Sequence, residues 1–113
     1  MSLPDDRSRL AHMLLYAQDA QRFTQASGRA DLDTNRMLYL ALLRALEVIG
    51  EAANRVSQSL QDQHPEIPWA QIVALRNRLI HGYDAVDTDR IWQIVTDDIP
   101  KLIDDLQNIL ALP

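Results

Sequence analysis

The sequence predicts an all-α fold, a single domain over residues 1–113 that forms a four-helix up-and-down bundle. Apolar residues recur at three- and four-residue spacing through most of the chain, which is the periodicity of amphipathic helices. No segment shows sustained alternation of β-branched and polar residues, and only three glycines interrupt the chain. A chain of 113 residues also suits one small domain with its own core.

The first helix is expected to begin near Pro4 and to stop near Gly28. Proline is favourable in a first turn, and Asp5 and Asp6 follow it at the positive end of the helix dipole. The helix has one apolar stripe, formed by Leu10, Met13, Leu14, Ala17, Ala20 and Phe23.

The second helix is expected to be the longest. Asp33 can cap it, and the apolar pattern runs to about Gln63, where prolines break it. A helix of this length would span on the order of 45 Å at 1.5 Å per residue. The small residues between Gly50 and Asn54 predict a close approach of a neighbouring helix.

Two further helices complete the predicted bundle. Pro68 can open the third, and Gly82 is expected to end it as the residue just beyond the C-cap. Asp87 or Thr88 can cap the fourth. Pro100 falls inside an apolar pattern that continues past it, so the C-terminal helix should be kinked at that point instead of ending there.

The composition excludes several classes of protein. Without cysteine there are no disulfides, thiolate zinc sites or thiol nucleophiles. The N-terminus has neither the basic segment nor the apolar run of a signal peptide, and no apolar stretch approaches the roughly 18 residues of a membrane span. A cytoplasmic protein without a membrane partner is therefore expected.

The formal net charge of −5 argues against a domain that coats nucleic acid nonspecifically. Chemistry on RNA would need a local positive site. Lys101 is the only lysine, so arginine supplies almost all of the positive charge. Surface ion pairs are the expected role of most of the central arginines, which are Arg36, Arg44, Arg55, Arg76, Arg78 and Arg90.

One short segment at the end of the third helix concentrates groups that suit phosphodiester chemistry. It contains Arg76, Asn77, Arg78, His81 and Tyr83. A guanidinium can hold and neutralise phosphate oxygens, and an imidazole can move protons near neutral pH. These groups need no metal, so RNA is a plausible substrate. Asn77 and Arg78 are candidates for holding phosphate beside Arg76 and His81.

Helical geometry alone does not bring Arg76 to His81, because residues five apart are about 140° apart in projection. The two converge only if the helix unwinds before Gly82 or if a second copy of the chain completes the site. This gap favours a homodimer. Taken singly, His81 is more often a C-terminal cap of a helix, and Tyr83 more often a half-buried aromatic.

The spacing Arg76, four residues, His81, one residue, Tyr83 resembles the R-x4-H-x-Y signature of HepT-like toxins in the HEPN superfamily. The resemblance covers nearly the whole chain. Other segments follow that family's pattern in the same order: residues 50–54, 69–72, 76–87 and 92–100.

The resemblance implies an all-helical HEPN-type domain that dimerises, places two R-x4-H motifs at a shared cleft and cleaves RNA without a metal or other cofactor. It also implies a toxin neutralised by an MntA-like nucleotidyltransferase antitoxin, which transfers AMP to the motif tyrosine. Carried over residue by residue, Arg76 and His81 become the catalytic pair. Asn77 becomes the polar residue that follows the motif arginine, and Tyr83 becomes the AMP acceptor.

The expected reaction is attack of a ribose 2′-hydroxyl on its own phosphate. His81 would transfer a proton, as acid or as base, and Arg76 would stabilise charge on the phosphorane. One alternative is a noncatalytic helical module that binds a nucleotidyltransferase or a nucleotide, with the motif only recognising phosphate. A purely structural four-helix dimer is the other.

Overall fold

The computed structural model describes residues 4–82 and 86–113, and these residues form helices joined by short loops without any strand. The α-helices are α1 (Pro4–Thr24), α2 (Asp31–Thr34), α3 (Arg36–Asn54), α4 (Gln58–Gln63), α5 (Trp69–His81), α6 (Thr88–Gln93) and α7 (Ile99–Leu110), with a π-helical turn at Ile94–Asp98. The all-α prediction is confirmed. Of these described helices, none combines the length and the apolar composition needed to cross a membrane.

The four longer helices lie in the packing order α5, α3, α1, α7. Helix α1 packs against both α3 and α7, and α3 also packs against α5. Within the described residues α5 and α7 make at most marginal contact with each other, so the row of helices remains open between its two ends. The largest fully buried apolar side chains are Leu10, Met13, Leu42, Ile49, Ile67, Ile91, Val95 and Leu106.

The expected single helix from Asp33 to Gln63 is wrong in its first turns. The chain forms the short α2 and breaks at Asn35, where the backbone is extended. The Asn35 side chain accepts a hydrogen bond from the backbone N–H of Leu38, at 3.1 Å, so Asn35 and not Asp33 caps the long helix.

The same predicted helix is broken again after Asn54. Ser57 caps α4 through a hydrogen bond from the backbone N–H of Leu60 to the Ser57 Oγ. Asp6 of α1, which is only 2% exposed, accepts from the Ser57 N–H at 2.9 Å and from the Ser57 hydroxyl at 2.6 Å. A carboxylate from a distant helix therefore takes the Ser57 N–H out of the helical pattern, which is why local periodicity did not reveal the break.

The C-terminal run begins as predicted and then changes its helical pitch. The Asp87 side chain accepts from the backbone N–H groups of Asp89 and Arg90, so the predicted Asp87 cap is confirmed. The helix then widens into the π-helical turn Ile94–Asp98, immediately before Pro100 in the first turn of α7. A π turn accommodates the proline because its wider hydrogen-bond spacing relieves the crowding that proline causes in an α-helix.

Two predicted helix ends differ from those observed. Helix α1 stops at Thr24 instead of near Gly28, and the Thr24 hydroxyl donates to the carbonyl groups of Ala20 and Gln21. Gly82 is the C-cap of α5, with a φ of −143°. Because that φ is negative, this cap does not use the left-handed backbone on which the sequence prediction rested.

Candidate active site at the end of helix α5

The start of α5 is anchored by a buried tryptophan. Trp69 is 7% exposed, and its indole N–H donates to the backbone carbonyl of His64 at 3.0 Å. Ile67, just ahead of the helix, is also buried. These contacts hold the N-terminal end of α5 against the core, and from there the helix carries the motif residues along α3.

Helices α3 and α5 approach most closely where Gly50 faces Arg76. A Cβ atom built on Gly50 would lie 2.2 Å from the Arg76 Cβ, 2.9 Å from its Cγ and 3.1 Å from the carbonyl oxygen of Ile72. The close approach predicted from the small residues is therefore confirmed at Gly50. The arginine stem lies directly on the bare backbone of α3.

The Arg76 guanidinium is only partly satisfied. Its Nη1 donates to the Asn77 Oδ1 at 2.9 Å. Its Nε is buried and has no hydrogen-bond partner among the described residues. A buried donor without a partner is unfavourable by about 1–3 kcal/mol, so this N–H is suited to a ligand that carries an acceptor oxygen.

A groove of about 990 Å³ lies on another side of α5, between that helix, α6 and α7. Asn77, Arg78 and His81 line it, whereas Arg76 does not. Apolar residues from five elements form most of the rest of the lining, including Ile49, Ile72, Leu75, Leu79, Ile91, Ile94 and Leu102. The groove therefore combines an apolar surface with the polar end of α5.

His81 is exposed at the last turn of α5, and its ring makes no hydrogen bond within the described part of the chain. The capping role that an isolated histidine would suggest is not what this geometry shows. Helix α5 also continues through His81, so the helix does not unwind before Gly82. Arg76 faces α3 and His81 faces the groove, which leaves the two predicted catalytic groups on different sides of α5 within one chain.

The rim of the groove carries charges of both signs. Lys101 donates to the Asp105 carboxylate at 2.7 Å, and this hydrogen bond raises the pKa of Lys101 above its ordinary value. Lys101 is therefore already neutralised by a partner. Arg90 lines the groove from α6, and among the described residues its guanidinium donates only to the amide oxygen of Gln93, at 2.9 Å.

The N-terminal end of α6 is fastened to the loop after α1 by one arginine. Arg29 contacts Asp89 at 2.5 Å, Thr88 at 2.7 Å and Asp33 at 3.1 Å. The hydrogen bond to Asp89 is the main cause that raises the pKa of Arg29, although this exposed cluster contributes little to stability. Its consequence for the site is geometric, since it fixes the helix that carries Arg90.

The central arginines divide into two groups. Arg44 pairs with Glu47 at 3.0 Å, and Arg55 pairs with Glu51 at 3.5 Å, as the surface-pair interpretation expects. Within the described residues no carboxylate pairs with the others, namely Arg36, Arg76, Arg78 and Arg90. Three of these unpaired arginines belong to the motif or to the groove, so positive charge is available there despite the acidic chain.

Arg90 is the groove residue that sequence reasoning did not assign to the site. It comes three residues after the Asp87 cap, and only the arrangement of α6 relative to α5 brings it to the same groove as Arg78. Tyr83, the predicted AMP acceptor, lies outside the described residues. Among the residues that are described, no three His, Asp or Glu side chains form a group that could hold a metal ion.

The fold and the site together define a class of protein: an all-helical domain whose exposed helix end presents arginine and histidine in R-x4-H spacing. A family profile described as Ribonuclease HepT-like matches residues 13–109. The chain belongs to this HepT-like family, as the R-x4-H-x-Y resemblance predicts.

Related proteins carry ribonuclease names. A protein of Methanocaldococcus jannaschii, provisionally named an RNase, is 37% identical over 102 residues, which cover 90% of this chain and 94% of the relative. A protein of Thermococcus cleftensis, provisionally named ribonuclease HepT, is 38% identical over 82 residues, covering 73% of this chain and 74% of the relative. No solved structure matches the chain. The family and these names support assignment as a ribonuclease.

Proposed function

We propose that this protein is the toxin of a toxin–antitoxin pair and that it cleaves RNA without a metal ion. In this reaction the 2′-oxygen of a ribose attacks the adjacent phosphorus, the bond to the 5′-oxygen breaks, and a 2′,3′-cyclic phosphate remains. The 2′-hydroxyl loses a proton and the departing oxygen gains one. DNA lacks the attacking group and is not a substrate.

His81 and Arg76 carry the chemistry in this proposal. An exposed imidazole without a hydrogen-bond partner among the described residues suits proton transfer to or from substrate oxygens. The buried, unpartnered Nε of Arg76 suits the developing charge of the phosphorane. The missing partner of this Nε is the main structural observation in favour of a catalytic role for Arg76, since an arginine with a purely structural role would have its donors satisfied.

Arg78 and Asn77 act as supporting phosphate-binding groups. Both line the groove beside His81, and Asn77 also accepts from Arg76, so it links the two sides of α5. Arg90 adds a second guanidinium across the groove from Arg78. These contacts would hold the RNA on either side of the phosphate that is cut.

The decisive experiment is RNA cleavage by native protein and by His81→Gln in the presence of a chelator. Glutamine keeps some hydrogen bonding but cannot transfer protons, so cleavage should fall by about 10²–10⁴-fold. A noncatalytic binding module would show no cleavage in either form, and its RNA or nucleotide binding would survive the change. Cleavage by native protein that stops when chelator is added would instead contradict metal independence.

The complete site is formed by two chains in this proposal. Within one chain Arg76 and His81 lie on different sides of α5, and among the described helices α3 is the one that α5 packs on extensively. A twofold dimer can bring the arginine of one copy to the histidine of the other, because symmetric contacts repeat each pairing.

Subunit mixing tests this arrangement. Arg76→Ala and His81→Ala are each inactive alone, but a mixed dimer contains one site with both native residues if the site is shared between chains. Mixing should then restore up to half of the native activity per mixed dimer. No recovery in dimers shown to have exchanged subunits would mean that each chain contains its own complete site.

Tyr83 is the site of control by the antitoxin in this proposal. An MntA-like nucleotidyltransferase would transfer AMP to the phenolic oxygen, placing a bulky anion two residues from His81 where it repels RNA. Coexpression with such a partner should add the mass of one AMP unit to native protein and none to Tyr83→Phe. An equal adduct on the variant would assign the modification to another residue.

A further inference from the structure

We propose that Gly50 is a positioning residue for Arg76: its missing side chain lets α3 hold the arginine stem in the direction that the reaction needs. The inference rests on the proposed RNA cleavage, because Arg76 is the group that contacts the phosphate there. Gly50 itself touches no substrate in this account. It acts only through Arg76.

The contact between the two residues leaves no room for a methyl group. A Cβ on Gly50 would lie 2.2 Å from the Arg76 Cβ, a separation that two carbon atoms without a bond between them do not tolerate. The Cγ at 2.9 Å and the Ile72 carbonyl oxygen at 3.1 Å close the remaining directions. Because the Cβ and the carbonyl are tied to the α5 backbone, rotating the arginine side chain cannot relieve the clash.

The position of Gly50 is unusual for a glycine. It is buried in the interior of α3, where alanine forms a helix more readily than glycine does. Neighbouring buried positions on the same helix carry methyl groups, as Ala45, Ala52 and Ala53 show. The bare backbone therefore coincides with one feature of the partner helix, the stem of Arg76.

This packing explains how an arginine keeps its Nε buried without a partner inside the chain. The stem rests on α3, and Nη1 is held by the Asn77 amide at 2.9 Å. The Nε then stays in place, buried and without a hydrogen-bond partner among the described residues. Moving α5 away from α3 would expose this nitrogen to water and change the direction of the guanidinium.

The first test compares two glycine-to-alanine variants. In Gly50→Ala the rate of RNA cleavage should fall by about 10²-fold, as expected when a catalytic group moves by about 1 Å. Gly28→Ala is the matched control, since a Cβ there would meet nothing within 4 Å, and its rate should be unchanged. Equal rates for the two variants would overturn the proposal.

A second comparison separates positioning from general damage. If Gly50 acts through Arg76, the variant Gly50→Ala combined with Arg76→Ala should cleave no more slowly than Arg76→Ala alone. A further loss in the combined variant would show that Gly50 acts by another route. Ile103→Val, a mildly destabilising change in α7, should keep its native rate below its melting temperature.

A control for loss of stability removes the atom with which the new Cβ would clash. Should Gly50→Ala be strongly destabilised, adding Arg76→Gly removes the Cβ at 2.2 Å, and the double variant should have a higher melting temperature than Gly50→Ala alone. Failure to recover would overturn the steric argument.

A measurement without RNA distinguishes this proposal from the proposed function. In native protein the Arg76 Nε–H should exchange with water far more slowly than that of exposed Arg44, as followed by nitrogen NMR. In Gly50→Ala the two rates should become similar. Fast exchange in native protein would contradict the positioning of Arg76 by Gly50. A protected Nε–H in a protein that cleaves no RNA would contradict the ribonuclease proposal and leave the positioning of Arg76 unaffected.

Discussion

Helices α3 and α5 are neighbours, but they differ in what their residues do. Helix α3 is buried along its length, from Leu38 to Ala53, and packs on both α1 and α5. Helix α5 buries only Trp69 and Leu79 and presents polar groups over much of its surface. In this domain, therefore, one helix (α3) supplies the structural core and a neighbouring helix (α5) carries the candidate catalytic residues.

The two helices pack along an extended interface, and the contact between Gly50 and Arg76 is where the scaffold meets a candidate catalytic residue. At Gly50 the scaffold helix touches the stem of Arg76, and elsewhere the motif residues lie at the surface or along the groove. Substitutions can therefore be chosen to affect one function of the molecule at a time. The following predictions use the difference between α3 and α5 in this way.

The largest expected effect is on catalysis alone. His81→Ala should lower RNA cleavage by about 10²–10⁴-fold. Because His81 is exposed and makes no hydrogen bond in the described part of the chain, the free energy of unfolding should change by no more than about 0.5 kcal/mol. Denaturant unfolding and a cleavage assay on the same sample check both numbers. A large loss of stability would mean that α5 is part of the scaffold after all.

The next effect falls on α3 and on stability. Leu42 is fully buried, so Leu42→Ala should reduce the free energy of unfolding by about 2–5 kcal/mol. The remaining folded protein should cleave RNA at the native rate. Leu15→Ala is the matched control on α1, since Leu15 is 49% exposed and its change should stay within about 0.5 kcal/mol. Equal losses from the two variants would contradict the assigned core.

A smaller loss of stability is expected where α1 meets the break between α3 and α4. Asp6→Ala leaves the Ser57 N–H and hydroxyl without their acceptor and should reduce stability by about 1–3 kcal/mol. Asp5→Ala, at the exposed neighbouring position, should have little effect. Urea unfolding of both variants measures the difference, and the cleavage rate of folded Asp6→Ala should match native protein.

The smallest effect concerns RNA affinity at the groove. Arg78→Ala and Arg90→Ala should each weaken binding of a 2′-deoxy analogue of an RNA substrate and reduce its salt dependence by about 0.7 in the logarithmic slope. Arg44, which pairs with Glu47, supplies the control, because Arg44→Ala removes a guanidinium that is already neutralised. Titrations at several salt concentrations would show whether the groove arginines differ from the paired one.

Much of the fold could be predicted because it follows from local periodicity. The apolar spacing indicated helices, and residue type narrowed the cap of the last predicted helix to Asp87 or Thr88, of which the structure shows Asp87. The breaks at Asn35 and Ser57 were missed for a physical reason. The break at Ser57 depends on Asp6, a residue 51 positions away in the chain, and no local pattern records such a partner.

The candidate site was predicted in part for a similar reason. The R-x4-H-x-Y spacing made Arg76 and His81 candidates, which they remain, and helical geometry predicted that the two face different directions on α5, as the structure shows. The small residues around Gly50 predicted close packing but not its partner. Arg76 as that partner and Arg90 as a groove residue can be named only when it is known how the helices pack against one another. Residue spacing within one helix does not give this information.

The position of α5 at the end of the row of helices has a consequence for how this domain changes over evolution. Since Asn77, Arg78 and His81 are exposed on α5, substitutions that abolish their chemistry leave the rest of the molecule as stable as before. Inactive variants of this domain would therefore still fold and accumulate, so abundance alone would not distinguish an active copy from an inactive one.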